Sequence, residues 1–412
     1  MKRLPVIIGI LICCLSVFAQ PGGRGGAIQL IADGDNFLRQ GVFDRALQAY
    51  ASAIARDPTY AQAYMKRASL NAKLSNNREA IEDYNKAIAL NPYVEYIYDQ
   101  RAKLRLLISD FKGAIEDLNK GLELSPNNKL MIAHRAETKT FMQDYAGALN
   151  DYTALLDSFP NDTLGYLLRA SFFIDLKDYE AAHRDIQKAL VLSPNSSISY
   201  NLLGIYHRNT GNVEDAVQAF TVSIQHNPEF ALGYYNRSIA YRLMGNNQAS
   251  ANDLDKAIAM DTRMKNAYFN RAICKKDAGD YIGALEDYNK AVELDSEFSD
   301  ALYNRGFTKK IMGDYAGALT DYNEAIAVNP KDPNLYNARG KIKALFGYYN
   351  EAIGDYSTAI SLQPDYADAW LNRGVIHIIN LYKDSGCDDL RESMRLGSRL
   401  AEDKYKYFCT KY

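Results

Sequence analysis

The chain has 412 residues, 47% hydrophobic and 24% charged, with 31 tyrosines against one tryptophan and 11 prolines. That balance excludes collagen-like, disordered and disulfide-dense proteins. With 48 basic and 50 acidic residues the formal charge is -2 and the pI about 6.3, so no overall electrostatic drive toward nucleic acid or anionic lipid exists.

The chain opens with Lys2 and Arg3, an apolar run from Val6 to Val17, and Val17-Phe18-Ala19 before Gln20. This order of cations, apolar core and small terminal residue predicts a secretory signal peptide over residues 1–19, cleaved after Ala19. The run is too short to cross about 30 Å of hydrocarbon as a helix. No second long apolar stretch follows, so no membrane span is expected after cleavage. Residues 20–26, rich in glycine, are predicted to be a flexible tether. Folded structure is expected to begin near Ala27.

From there one period governs the sequence. Pro58, Pro92, Pro126, Pro160, Pro194, Pro228, Pro330 and Pro364 all fall in a single register of 34 residues. A fixed period of this size signals stacked repeats and overrides a domain count taken from length. About eleven units fill residues 27–400, the last one degenerate, and residues 401–412 are expected to form a C-terminal capping helix.

Within a unit, counting Ala27 as position 1, position 15 is glycine six times (Gly41, Gly211, Gly245, Gly279, Gly313, Gly347), as at a left-handed helix end. Position 16 is often Asp or Asn, among them Asn76, Asp110, Asn212 and Asp280, which suits the N-cap of a second helix. Position 8 (Gly34, Ala68, Ala102 and onward) and position 20 (Ala46, Ala80, Ala114 and onward) stay small in every unit, which lets two helix backbones approach closely. Tyrosines recur at positions 4 and 24, sized for the spaces around those contacts. Each unit therefore reads as an antiparallel helix hairpin.

A charge pattern runs with it. Position 7 is Arg in nine units and position 23 is Asp in the same nine, for example Arg271 with Asp287; the other two units carry Asp33 with Ala49 and Leu203 with Ala219. The two positions lie symmetrically about the turn, so nine partly buried Arg-Asp pairs are predicted across the hairpins.

The small, aromatic and proline pattern, in stretches such as Tyr268-Phe269-Asn270-Arg271-Ala272 and Gly279-Asp280-Tyr281-Ile282-Gly283-Ala284, closely resembles the tetratricopeptide repeat. The resemblance implies an all-α, right-handed α-solenoid, a superhelix of antiparallel helix hairpins with 34-residue repeats. It also implies a non-catalytic protein-interaction scaffold whose first helices line a concave groove that holds a partner segment. On that expectation positions 5, 6, 9 and 12 face the groove. They give an aromatic file of Tyr235, Phe269 and Tyr303, amides Asn236, Asn270 and Asn304, apolar Ile239, Ile273 and Phe307, and cations Arg208, Arg242, Lys276 and Lys310. Aromatic area, amide bonds to a partner backbone and cations selecting charge together suit an acidic protein or peptide segment. A carrier of a non-protein ligand, such as a glycan or cell-wall fragment, is the alternative.

The five histidines are scattered without metal-ligand spacing, and the glycines form neither a phosphate loop nor a dinucleotide fingerprint. No enzyme activity, cofactor or metal is expected. Cys274 reads as a buried small residue, whereas Cys387 and Cys409 bracket the end of the chain and are expected to form a disulfide in an oxidising compartment. The signal, with the segment from Cys387-Asp388-Asp389-Leu390 through Leu396-Gly397 to Cys409, which resembles the endings of bacterial repeat proteins, implies a periplasmic or cell-envelope location, with secretion as the alternative.

Overall fold

The structure, a computed structural model, describes residues 23–410. The expected signal peptide, positions 20–22 of the expected tether and the last two residues of the expected cap lie outside the described residues. The described chain is all-α, with 23 helices and no strand. It divides into two compact units between Leu192 and Ser193.

The first unit contains α1 (Gly23–Arg39), α2 (Phe43–Arg56), α3 (Ala61–Lys73), α4 (Asn77–Leu90), α5 (Glu95–Leu107), α6 (Phe111–Leu124), α7 (Lys129–Phe141), α8 (Tyr145–Ser158), α9 (Thr163–Asp175) and α10 (Tyr179–Leu192). The second contains α11 (Ser197–Asn209), α12 (Val213–His226), α13 (Ala231–Leu243), α14 (Asn247–Met260), α15 (Lys265–Asp277), α16 (Tyr281–Leu294), α17 (Ser299–Ile311), α18 (Tyr315–Val328), α19 (Pro333–Leu345), α20 (Tyr349–Leu362), α21 (Ala367–Ile379), α22 (Lys383–Arg395) and α23 (Arg399–Cys409). Consecutive helices pair as hairpins, five in the first unit and six in the second, and α23 packs on α21 and α22.

Helix α1 begins at Gly23, inside the stretch read from sequence as a tether. Its extra turn is held from outside: the Arg24 guanidinium donates to Asp57 at 3.1 Å and lies over the Tyr60 ring. Tertiary contact here outweighs the poor helix propensity of four residues that include three glycines.

Every hairpin turns through a left-handed residue at position 15. Six are the glycines noted above, and the other five are Ser75, Ser109, Gln143, Lys177 and Leu381, with φ between 61° and 69°. The turn geometry is thus kept where glycine is absent, at a conformational cost of about 1 kcal/mol for each side chain. At position 16, Asp110, Asp144, Asp178, Asn246, Asp280 and Asp314 accept from the backbone N–H three residues on. Asn76 and Asn212 do not cap; their amides turn to Asn71 and Thr210 instead.

The small residues sit where the helices touch. Ala46, Ala80, Ala114 and their equivalents are fully buried, and the position 24 rings Tyr50, Tyr84, Tyr288, Tyr322 and Tyr356 are buried beside position 8. A β-carbon on Gly34 would lie 2.5 Å from the Tyr50 ring, and one on Gly340 2.7 Å from Tyr356. The position 4 aromatics have a different task. Tyr64, Tyr98, Tyr166 and Tyr336 donate their hydroxyls to the carbonyls of Pro58, Pro92, Pro160 and Pro330, and Trp370 donates its indole N–H to Pro364. Each of these rings ties a first helix to the loop before it.

All nine predicted Arg-Asp pairs are present. In the pair between α15 and α16, Arg271 Nε donates to Asp287 Oδ2 at 2.8 Å and Nη2 to Oδ1 at 2.6 Å. The bond to Asp287 raises the Arg271 guanidinium above its ordinary range. The carboxylates are buried, Asp321 completely. In seven of the nine, the remaining guanidinium nitrogen reaches position 25 of the preceding hairpin, as Arg271 reaches Asp255 and Arg339 reaches Asn323. A second cation one turn after the arginine, at position 11, shares the carboxylate in five hairpins: Arg105, Lys139, Lys275, Lys309 and Lys343.

Two stability measurements follow from this geometry. Lys177→Gly and Leu381→Gly relieve left-handed strain and should each stabilise the chain by about 1 kcal/mol in chemical denaturation; destabilisation would show that the side chains contribute more than the turn costs. Asp287→Ala leaves a half-buried guanidinium facing Lys275 without its carboxylate and should cost about 3 kcal/mol. Arg271→Leu combined with Asp287→Ala, reproducing the Leu203 and Ala219 hairpin, should recover much of that loss. Equal melting temperatures for the single and double variants would place the pair among solvent-screened charges.

Candidate partner-binding groove

The first helices of the second unit carry every residue of the expected groove. Their side chains divide into a knitted floor and an unpaired rim. Asn236 donates to Asn201 at 3.0 Å, and Asn270 donates to the Tyr235 hydroxyl at 3.4 Å and to the Asn266 carbonyl at 2.8 Å. Both asparagines are buried, at 9% exposure. Further along, Asn372 donates to Asn337 and Asn337 to the Tyr366 hydroxyl, each at 2.9 Å. An amide at position 6 thus reaches position 5 of the preceding first helix. Asn236 and Asn270 hold neighbouring hairpins together and are not presented to a partner backbone, contrary to the expectation. Asn304 is half-buried and donates to the Asp300 carbonyl.

The aromatic file is half-buried. Tyr235 packs beside Leu254 and Cys274, Phe269 lies 6.0 Å from the Tyr288 ring and 4.9 Å from Phe298, and Tyr303 lies 5.8 Å from Tyr322. Burial pushes the Tyr235 and Tyr303 phenols up. Ile239, Ile273 and Phe307 are half-buried one turn on. The Phe307 ring faces two ammonium groups, Lys310 at 4.4 Å and Lys276 at 5.7 Å.

The cations at position 12 contrast with those at position 11, which neutralise the buried carboxylates. Arg208, Arg242 and Lys310 pair with no carboxylate among the described residues, and Lys276 meets the adjacent Asp277 at 3.3 Å. Arg242 Nε is buried without a hydrogen-bond partner. Burial pulls the Arg208 guanidinium below its ordinary range. Lys310 is lowered by burial and by the like charge of Lys341. The file belongs to the second unit alone: position 12 in the first unit is Leu38, Ala72, Leu106, Thr140 and Ile174. A smaller cavity of about 200 Å³ continues the groove past Tyr303 and Phe307 to Lys341, Tyr366 and Asp368.

Cys274, 2% exposed, lies 3.5 Å from the Ser250 hydroxyl, and burial pushes its thiol up, as suits a packing residue. Cys387 on α22 and Cys409 on α23 have Cα atoms 5.8 Å apart with their sulfurs bonded. Among the described residues no group of three His, Cys, Asp or Glu side chains is placed to hold a metal, and no helix is long and apolar enough to cross a membrane.

Family models described as tetratricopeptide repeat match residues 31–95, 141–197, 173–229 and 266–298, and one described as TPR repeat matches 309–345 and 347–378. Together they cover more than half of the chain, which belongs to the tetratricopeptide repeat family, a fold typical of protein-protein interaction scaffolds and generally non-catalytic. Among solved structures, the APC/C hetero-tetramer Cut9-Hcn1 is similar in fold at 12% identity and a TM-score of 0.50, covering 93% of this chain and 96% of that one. A tetratricopeptide repeat protein from Parabacteroides merdae shares 20% identity at a TM-score of 0.45, over 59% of this chain and 97% of that one. YrrB, described as a TPR protein with an unusual peptide-binding site, shares 22% identity at a TM-score of 0.41, over 46% of this chain and 99% of that one. No curated protein matches the sequence.

The pairing at the C-terminal end can be read by mass. Alkylation of the denatured chain without reductant should modify Cys274 and leave Cys387 and Cys409 unmodified, and prior reduction should expose both. Alkylation at Cys387 or Cys409 without reductant would mean that the thiols are free.

Proposed function

We propose that the second unit is a docking surface for an acidic protein segment, which lies along its first helices on the cations of position 12. The observation that carries this reading is that Arg208, Arg242 and Lys310 are partly buried without carboxylate partners, while cations one residue earlier in the repeat are fully paired. Burying an unpaired charge is costly, and an incoming carboxylate would supply the missing partner. The half-buried faces of Tyr235, Phe269, Tyr303 and Phe307 add contact area, and Ile239, Ile273 and Asn304 complete the surface.

An exported location, in the periplasm or cell envelope, belongs to the same proposal. Its supports are the Lys2-Arg3 start with its short apolar run and a cysteine pair suited to an oxidising compartment. The function is that of a non-catalytic scaffold.

The test is binding of a glutamate-rich peptide as salt is raised. Arg208→Gln combined with Arg242→Gln should weaken binding about tenfold and flatten its salt dependence. These side chains lie outside the Arg-Asp pairs, so the melting temperature should hold. Unchanged affinity in the variant would dismiss the cationic file, and salt-insensitive binding of a glycan in place of the peptide would favour the carrier alternative.

A further inference from the structure

At the C-terminal end of the second unit, α19, α21 and α23 bound an open cavity of about 530 Å³. Its floor is mainly apolar, with Leu345 from α19, Leu371 and Val375 from α21 and Leu400 from α23, beside the rings of Tyr315 and Tyr356 and the amide of Asn372. Three ammonium groups stand at its walls: Lys310, Lys341 and Lys404. No carboxylate lines it, and none of the three lysines has an ion-pair partner among the described residues. Ala401, fully buried, docks α23 against Leu371 and Leu390, so this wall is part of the packed end of the unit.

The two halves of this lining call for one kind of occupant. An inorganic anion would satisfy the lysines and leave the apolar floor wet. A neutral apolar group would cover the floor and leave like charges facing one another, a repulsion from Lys341 that adds to burial in lowering Lys310. An aliphatic side chain with carboxylates beside it in the same segment meets both requirements.

We infer that this cavity is an anchor pocket that takes a leucine-like side chain of the acidic partner segment, while flanking carboxylates reach Lys310, Lys341 and Lys404. The inference rests on the docking reading above, since Lys310 belongs both to the cationic file and to this pocket. Asp368, in the adjoining smaller cavity, marks the side away from which the partner carboxylates are directed. The recognised class is therefore narrower than an acidic peptide: it is an acidic peptide with an aliphatic anchor, held by a central apolar contact and a charged rim.

Two fluorescein-labelled glutamate-rich peptides, identical except that one leucine is replaced by alanine, are titrated against the full chain by fluorescence anisotropy. The leucine peptide should bind about tenfold more tightly. Leu345→Asn combined with Leu400→Asn, at side chains 63% and 56% exposed, should erase that advantage and leave binding of the alanine peptide unchanged. Equal affinity of the two peptides for the unmodified chain overturns the anchor pocket alone, provided Arg208→Gln with Arg242→Gln still weakens both. If neither peptide binds, the pocket is overturned together with the docking reading. Saturable binding of dodecanoate that depends on Leu400, with both peptides silent, overturns it in favour of a free anionic amphiphile.

Discussion

The buried carboxylate at position 23 is the constraint on which the hairpins depend. Placed between two helices that touch through small residues and a large apolar side chain at position 24, it must meet a cation, because an unpaired buried charge is far costlier than the pair. The arginine at position 7 meets it with two bonds, to both carboxylate oxygens in eight hairpins and to Oδ1 alone for Arg305, and in most hairpins extends its third nitrogen to the hairpin before, as Arg339 does to Asn323. One side chain thereby sets the register of two helices within a repeat and of one repeat on the next. The close approach of positions 8 and 20 permits the packing; the bidentate pair makes one alignment preferable to its neighbours.

This constraint also gives the two units a common beginning. The first hairpin of each, α1 with α2 and α11 with α12, is the one that lacks the pair, with Asp33 and Ala49 in one and Leu203 and Ala219 in the other. An opening hairpin has no earlier hairpin within its own unit for a third guanidinium nitrogen to reach. The proline period passes Leu192 unchanged, so the division is written in position 7 and not in the period.

Much of the fold was legible because repetition turns single residues into columns. Nine concordant Arg-Asp pairs in two columns identify a contact that a lone pair at that spacing would not. What escaped was information carried by compensation between columns. Position 27 of one hairpin meets position 3 of the next, and the two exchange bulk: Gly121 faces Met131, whereas the large Leu155 lies beside Gly165. Neither column is constant, so neither attracts notice alone. The extra turn of α1 was hidden for another reason, since Gly-rich composition speaks of local propensity and the turn is held by a tertiary bond to Asp57. In the groove, residue type was informative about charge and misleading about amides. An asparagine column signals hydrogen bonding, but sequence does not say whether the partner is another helix or another molecule.

Positions 11 and 12 show how such an array separates stability from recognition. They are adjacent in sequence, and about 100° apart around the helix, given 3.6 residues per turn. That rotation carries the position 11 cation onto the buried carboxylate and the position 12 cation onto the groove. Lys275 and Lys276 are the same residue type with different fates, the first 2.9 Å from Asp287 and the second over the Phe307 ring. Because the pair at positions 7 and 23 already fixes the hairpin, position 12 is free to vary without disturbing the packing, from leucine, alanine, threonine or isoleucine in the first unit to arginine or lysine in four hairpins of the second. The charged face can therefore be altered hairpin by hairpin while the frame beneath it stays the same.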